Sequence, residues 1–163
     1  MKRKILIVED NVGLSQIQKD WLSQAGYEAV TAMNEPIARS LIRKTQFDLI
    51  LSDVRLPEGD GISLLEWLRK EKKDIPFIIT TEYVSVPDVV RTIKLGARDY
   101  LPKPVHRDYL LELAEDIFHP VATVRKQERQ LFHRTSPMIL KVEKFARLVA
   151  PSEMSVMILG ANG

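Results

Sequence analysis

Four apolar runs in this chain, Ile5–Val8, Leu49–Leu51, Phe77–Ile79 and Val156–Leu159, are continuous rather than alternating. Short unbroken runs of this kind are what strands look like when helices cover both faces of their sheet. The segments after the first three runs carry helical spacing. Leu14, Ile17, Trp21 and Ala25 mark one stripe, which Gly26 closes as a C-terminal cap. Asn34 caps a second helix with Ile37, Ala38, Leu41 and Ile42. A third carries Leu64, Leu65 and Leu68 after Asp60-Gly61, and a fourth carries Val89, Val90 and Ile93 before Gly96. Weaker strands at Glu28–Ala32 and Arg98–Leu101 complete a strand-then-helix alternation through residue 118. The expected fold is an α/β, open, doubly wound parallel sheet with right-handed crossovers.

In such a sheet ligands gather at the carboxyl ends of the strands. Glu9 and Asp10 follow the first strand, Asp53 ends the third, Thr80 and Thr81 end the fourth, and Lys103 follows the fifth. Carboxylates converging on one rim repel each other unless a cation joins them, and hard oxygen ligands suit Mg²⁺. A carboxylate beside Mg²⁺ and an ammonium can attack a phosphoryl group, with Asp53 as the nucleophile and Lys103 as the ammonium. Taken singly, each residue has a plainer use. Glu9-Asp10 could cap the first helix, Asp53 could serve a turn, Lys103 could be a solvated charge, and the threonines could be ordinary strand residues. Their joint placement favours the chemical reading.

Composition narrows the class. The 24 basic and 22 acidic residues leave a formal charge of +2, which argues against a broad nucleic-acid surface. Without cysteine, disulfides and thiolate metal sites are excluded. The apolar run after Met1-Lys2-Arg3-Lys4 is too short for a signal peptide or a membrane span, so a cytoplasmic protein with no membrane contact is expected.

Several strings together resemble the receiver domain of bacterial two-component response regulators. They are Ile5 to Asn11, Asp53-Val54-Arg55-Leu56-Pro57 with Asp60-Gly61, Thr81, and Gly96-Ala97-Arg98-Asp99-Tyr100-Leu101-Pro102-Lys103-Pro104. The resemblance implies a flavodoxin-like (CheY-like) five-stranded sheet of order 2-1-3-4-5 over residues 1–118. It implies that a sensor histidine kinase phosphorylates Asp53, and that Mg²⁺ is held by Glu9, Asp10, Asp53 and the backbone carbonyl of Arg55. Lys103 would contact the phosphoryl group, Thr81 would be the switch hydroxyl, Tyr100 the switch aromatic, and the Lys103-Pro104 bond cis. One departure is Glu82, which stands where a small residue is usual and would restrict access.

Beyond the last helix, Leu110, Ala114, Ile117, Val121, Val124 and Leu131 keep a heptad-like spacing broken by Glu128, with Pro120 inside it. Two readings stand: a last helix packed on its own sheet followed by a charged linker at 119–134, or a homodimer through helix and linker. Ser136-Pro137 starts a further helix with Val142, Phe145, Ala146 and Val149. The final run leads into Gly160-Ala161-Asn162-Gly163. Residues 135–163 resemble the opening of the AAA+ ATPase domain of sigma-54-dependent activators of the nitrogen-regulator type, without the lysine of a complete phosphate-binding loop.

The expected function is a phosphorylation-dependent transcriptional switch rather than a turnover enzyme. The alternative is a phosphatase or phosphotransferase that forms an aspartyl phosphate. It is disfavoured because haloacid-dehalogenase-like enzymes want a second acid where this chain has Arg55. A nucleotide-hydrolysing domain would need a longer tail.

Overall fold

The computed structural model describes residues 2–120. The linker from Val121 onward and the 135–163 segment expected to open an ATPase domain lie outside the described residues. The chain alternates β1 (Lys4–Val8), α1 (Val12–Gln24), β2 (Glu28–Ala32), α2 (Glu35–Lys44), β3 (Leu49–Asp53), α3 (Gly61–Lys70), β4 (Phe77–Thr81), α4 (Val86–Lys94), β5 (Asp99–Pro102) and α5 (Arg107–Phe118). All strand pairs are parallel and the sheet order is β2-β1-β3-β4-β5. The expected flavodoxin-like topology is therefore the one observed.

Side chains alternate across each strand, so the continuous apolar runs feed two cores. Ile5, Ile7, Leu49, Leu51, Ile78 and Leu101 meet Leu22 of α1 with Leu110 and Ala114 of α5. Leu6, Ile50 and Ile79 are fully buried in the same strands, and Ala38 of α2 and Leu64, Leu65 and Leu68 of α3 are fully buried too. Fully burying one such side chain contributes roughly 1.5–3 kcal/mol, which explains why these runs tolerate no polar break.

Three helical stripes need correction. In α1 the buried face is Ser15, Gln18 and Leu22, while Leu14 and Ile17 are exposed. Ser15 is tolerated inside because its hydroxyl donates to the Val12 carbonyl at 3.1 Å. In α2, Ala38 and Ile42 are buried but Ile37 is exposed. In α4 only Thr92 is buried, its hydroxyl donating to the Asp88 and Val89 carbonyls, and Val90 and Ile93 face outward. A small polar residue that satisfies itself on its own helix can occupy the inner face, and this displaces the apolar stripe. The inner face of the last helix packs on its own sheet: Leu110 and Ala114 are core residues and Ile117 packs against the same core.

Candidate functional site

The strand register brings the rim residues level. Val8 pairs with Ser52 and Asp53 with Thr80, so Glu9, one residue beyond β1, stands beside Asp53 at the end of β3. Thr81 pairs with Pro102, and the backbone N–H of Lys103 donates to the Thr81 carbonyl at 2.7 Å. The Lys103-Pro104 bond is cis, as expected. The Glu9 N–H donates to the Ala32 carbonyl at 3.0 Å, which anchors the acid against the end of β2.

Glu9 and Asp53 are buried and Asp10 is exposed. The plainer use of Glu9-Asp10 as helix caps is not what the structure contains, since Asn11 caps α1 by accepting the Leu14 N–H at 3.0 Å. The Lys103 ammonium donates to Asp53 Oδ2 at 2.5 Å and lies 2.7 Å from Glu9 Oε2. The second contact is an ion pair, too poorly aligned to serve as a hydrogen bond. Asp53 Oδ1 accepts the Arg55 N–H at 3.2 Å. Burial is the largest influence on Glu9 and raises its carboxyl above the ordinary value; Lys103 opposes this without cancelling it, and Asp53 adds to it. Burial disfavours the Lys103 ammonium, but Asp53 and Glu9 outweigh it and hold Lys103 above the ordinary value.

Glu9, Asp10 and Asp53 each place a carboxylate oxygen within 4.8 Å of the others. The donors are all hard oxygens, and Glu9 Oε2 is buried without an aligned hydrogen-bond donor. This donor set fits Mg²⁺.

The other expected site residues lie beside this cluster. Thr81 is buried, and its hydroxyl donates to the Tyr83 carbonyl at 2.9 Å while accepting the Tyr83 N–H at 3.2 Å. Tyr100 is buried at 2% exposure, and its hydroxyl has no aligned hydrogen-bond partner although it feels both Thr81 and the Ser85 backbone. Burial raises its phenol above the ordinary value. Glu82 is exposed next to Thr81.

Tyr83 was not among the expected site residues. Its backbone holds the Thr81 hydroxyl, and its ring lies under the Arg55 guanidinium, 4.8 Å from carbon to ring centre. Nothing in the spacing of Arg55 and Tyr83 signals the pair, because the β3–β4 pairing alone brings the two loops together.

A sequence model of the response regulator receiver domain matches residues 5–115. The chain is similar to the transcriptional regulatory protein GlrR of Escherichia coli K12, 33% identical over 160 residues, 98% of this chain and 36% of the relative. It is also similar to the transcriptional regulatory protein ZraR of Klebsiella oxytoca, 35% identical over 98% of this chain and 37% of the relative. The response regulator protein PilR of Pseudomonas aeruginosa is 30% identical over 99% of this chain and 37% of that protein. The chain thus spans little more than a third of these relatives. Among solved structures, the non-phosphorylated HemR receiver domain of Leptospira biflexa matches with a TM-score of 0.68 at 35% identity, covering 75% of this chain and 98% of that one. A Francisella response regulator receiver domain matches with a TM-score of 0.69 at 30% identity, covering 73% of this chain and 98% of that one.

Proposed function

This chain belongs to the response regulator receiver domain family, and from that premise we propose that it is a two-component signalling switch phosphorylated on Asp53 by a sensor histidine kinase. The observation that carries the reading is the buried Lys103 ammonium bridging Asp53 and Glu9 on the strand rim. An Asp53 carboxylate oxygen forms the bond to phosphorus while the phosphorus–nitrogen bond of the kinase's phosphohistidine breaks, its electron pair leaving with the imidazole. The Arg55 N–H orients Asp53 through Oδ1, and Lys103 holds a positive charge where the phosphoryl oxygens gather. Glu9, Asp10, Asp53 and the Arg55 carbonyl would hold Mg²⁺, which when bound supplies neutralisation of the phosphoryl charge.

Phosphorylation adds a charge of about −1.5 to −2 at neutral pH. For the Thr81 hydroxyl to turn toward that charge it must release Tyr83, and the space beside Tyr100 then changes occupant. This is the switch, and the exposed Val90 and Ile93 of α4 lie on the surface it alters. Exposed Val12, Leu14 and Ile17 of α1 offer the kinase an apolar surface close to Glu9 and Asp10.

The domain reading keeps a receiver at 1–118, a linker at 119–134 and the opening of a sigma-54-activator AAA+ domain at 135–163, with output through transcription. A homodimer would use the linker residues Val121, Val124 and Leu131, since Leu110 and Ala114 serve the receiver's own core. Among the described residues no helix is long and apolar enough to cross a membrane, and a cytoplasmic location fits the kinase partnership. The test is incubation with acetyl phosphate and Mg²⁺, followed by peptide mapping: a persistent acyl phosphate on Asp53 supports the switch, and rapid turnover to free phosphate supports a phosphatase.

A further inference from the structure

A second buried carboxylate lies outside the Glu9–Asp10–Asp53 cluster. Glu35 opens α2 with its side chain only 7% exposed. One of its oxygens is paired with Arg39, whose guanidinium lies over the Trp67 ring 5.1 Å from the centre. The other, Oε2, accepts the backbone N–H of Asp60 at 3.0 Å, a bond between α2 and the loop that joins β3 to α3. The same loop is tied to α2 twice more, by the Glu35 N–H donating to the Glu58 carbonyl at 3.2 Å and by Asn34 Nδ2 donating to Glu58 Oε2 at 3.3 Å.

Between these contacts sits Gly59 with φ +81, and a Cβ built there would meet Glu35 Oε2 at 1.8 Å. The loop is thus moulded directly onto the carboxylate. On its inner side Asp60 bridges to Arg55, and the Gly61 N–H donates to the Val54 carbonyl at 2.9 Å. Arg55 in turn donates its N–H to Asp53 Oδ1. Hydrogen bonds join Glu35 to Asp60 and Arg55 to Asp53, and between them Asp60 and Arg55 lie opposite each other in a β-bridge held by the flanking Gly61 N–H to Val54 carbonyl bond. A buried carboxylate is costly to keep unless paired, and here the helix N-terminus and Arg39 both stabilise it.

We propose that Glu35 is a positioning residue for the phosphoryl site, fixing the β3–α3 loop so that the Arg55 amide meets Asp53 and the Arg55 carbonyl faces the cation site. The proposal rests on the Asp53–Mg²⁺ reading above. Partners of this kind behind metal ligands typically account for 10–100-fold in metal affinity.

The test is calorimetric titration of the whole unphosphorylated chain with Mg²⁺ alone, together with amide exchange at Arg55 and Asp60 and the melting temperature. Glu35→Ala and Gly59→Ala should each weaken Mg²⁺ binding about tenfold and speed exchange at both amides. Glu35→Gln keeps a carbonyl acceptor for the Asp60 N–H and should restore binding to near the parent level. Arg69→Met removes contacts to the Lys73, Ile75, Leu95 and Gly96 carbonyls at the other end of the sheet. It should lower the melting temperature and leave Mg²⁺ affinity alone. Parent-like Mg²⁺ binding in Gly59→Ala, or in folded Glu35→Ala, overturns the proposal, as does an equal loss in Arg69→Met. If Glu35→Ala does not fold, Gly59→Ala and Glu35→Gln decide. A parent protein whose Mg²⁺ binding is absent, or unchanged in Asp53→Asn, would instead remove the phosphoryl-site reading and this proposal with it.

Discussion

The Lys103 ammonium sits between two carboxylates on neighbouring strand ends, 2.5 Å from Asp53 Oδ2 and 2.7 Å from Glu9 Oε2, with all three side chains less than 10% exposed. Among the described residues, this ammonium is the cation that pairs with both buried acids. Removing it leaves them facing each other, and breaking a buried ion pair in this way costs about 3 kcal/mol or more. Lys103→Met should therefore lose about that much stability in metal-free urea unfolding and recover part of it when Mg²⁺ is added, because a cation that binds only the folded state stabilises it. Equal losses with and without Mg²⁺ would show that the ion does not replace the ammonium.

Glu82 is exposed beside Thr81, on the rim that a phosphoryl donor would approach under the proposed function. Its charge repels a small dianionic donor, and the repulsion between exposed groups a few ångströms apart is about 1 kcal/mol. Glu82→Ala should accelerate acetyl phosphate labelling by roughly twofold to fivefold, with the gain shrinking at high salt. Stopped-flow rates in the two proteins check this, and an unchanged or slower rate removes Glu82 from the site.

Asp99 carries the pH prediction. Burial raises its carboxyl above the ordinary value, and the hydrogen bonds from the Tyr100 N–H at 2.7 Å and the Tyr109 hydroxyl at 3.1 Å only partly offset this. A raised folded-state value means that protonation favours the native state. The contribution is fully present below the unfolded value and is lost as pH rises through the folded one. Relative to Asp99→Asn, the parent should therefore gain stability as pH falls from 7 to 4. Urea unfolding of both proteins across that range checks the sign, and a parent that loses ground on acidification contradicts it.

The dimer reading now depends on the linker rather than on the inner face of α5, which the core uses through Leu110 and Ala114. Val121→Asp with Val124→Asp should turn any dimer into a monomer in sedimentation while leaving Asp53 labelling intact. A parent protein that is already monomeric at tens of micromolar, with and without a phosphoryl mimic, makes the linker a tether only.

The strands were legible in the sequence because burial on both faces forbids polar breaks, so Ile5–Val8 and Phe77–Ile79 announce themselves. The acids at strand ends were legible once the parallel order placed those ends on one rim. The faces of α1 and α4 were not. Spacing alone cannot distinguish two adjacent stripes when the inner one contains Gln18, or Ser15 and Thr92, whose hydroxyls bond carbonyls of their own helix. Tyr83 and Glu35 were also hidden: their partners Arg55 and Asp60 come from other elements, and only the folded loops bring each pair together.

The most direct measurement is phosphopeptide mapping after incubation with acetyl phosphate and Mg²⁺, run on the parent protein and on Asp53→Asn. The account predicts a single Mg²⁺-dependent acyl phosphate on the peptide containing Asp53, absent from the variant and lost from the parent when the metal is chelated beforehand. Undiminished labelling in Asp53→Asn would contradict it.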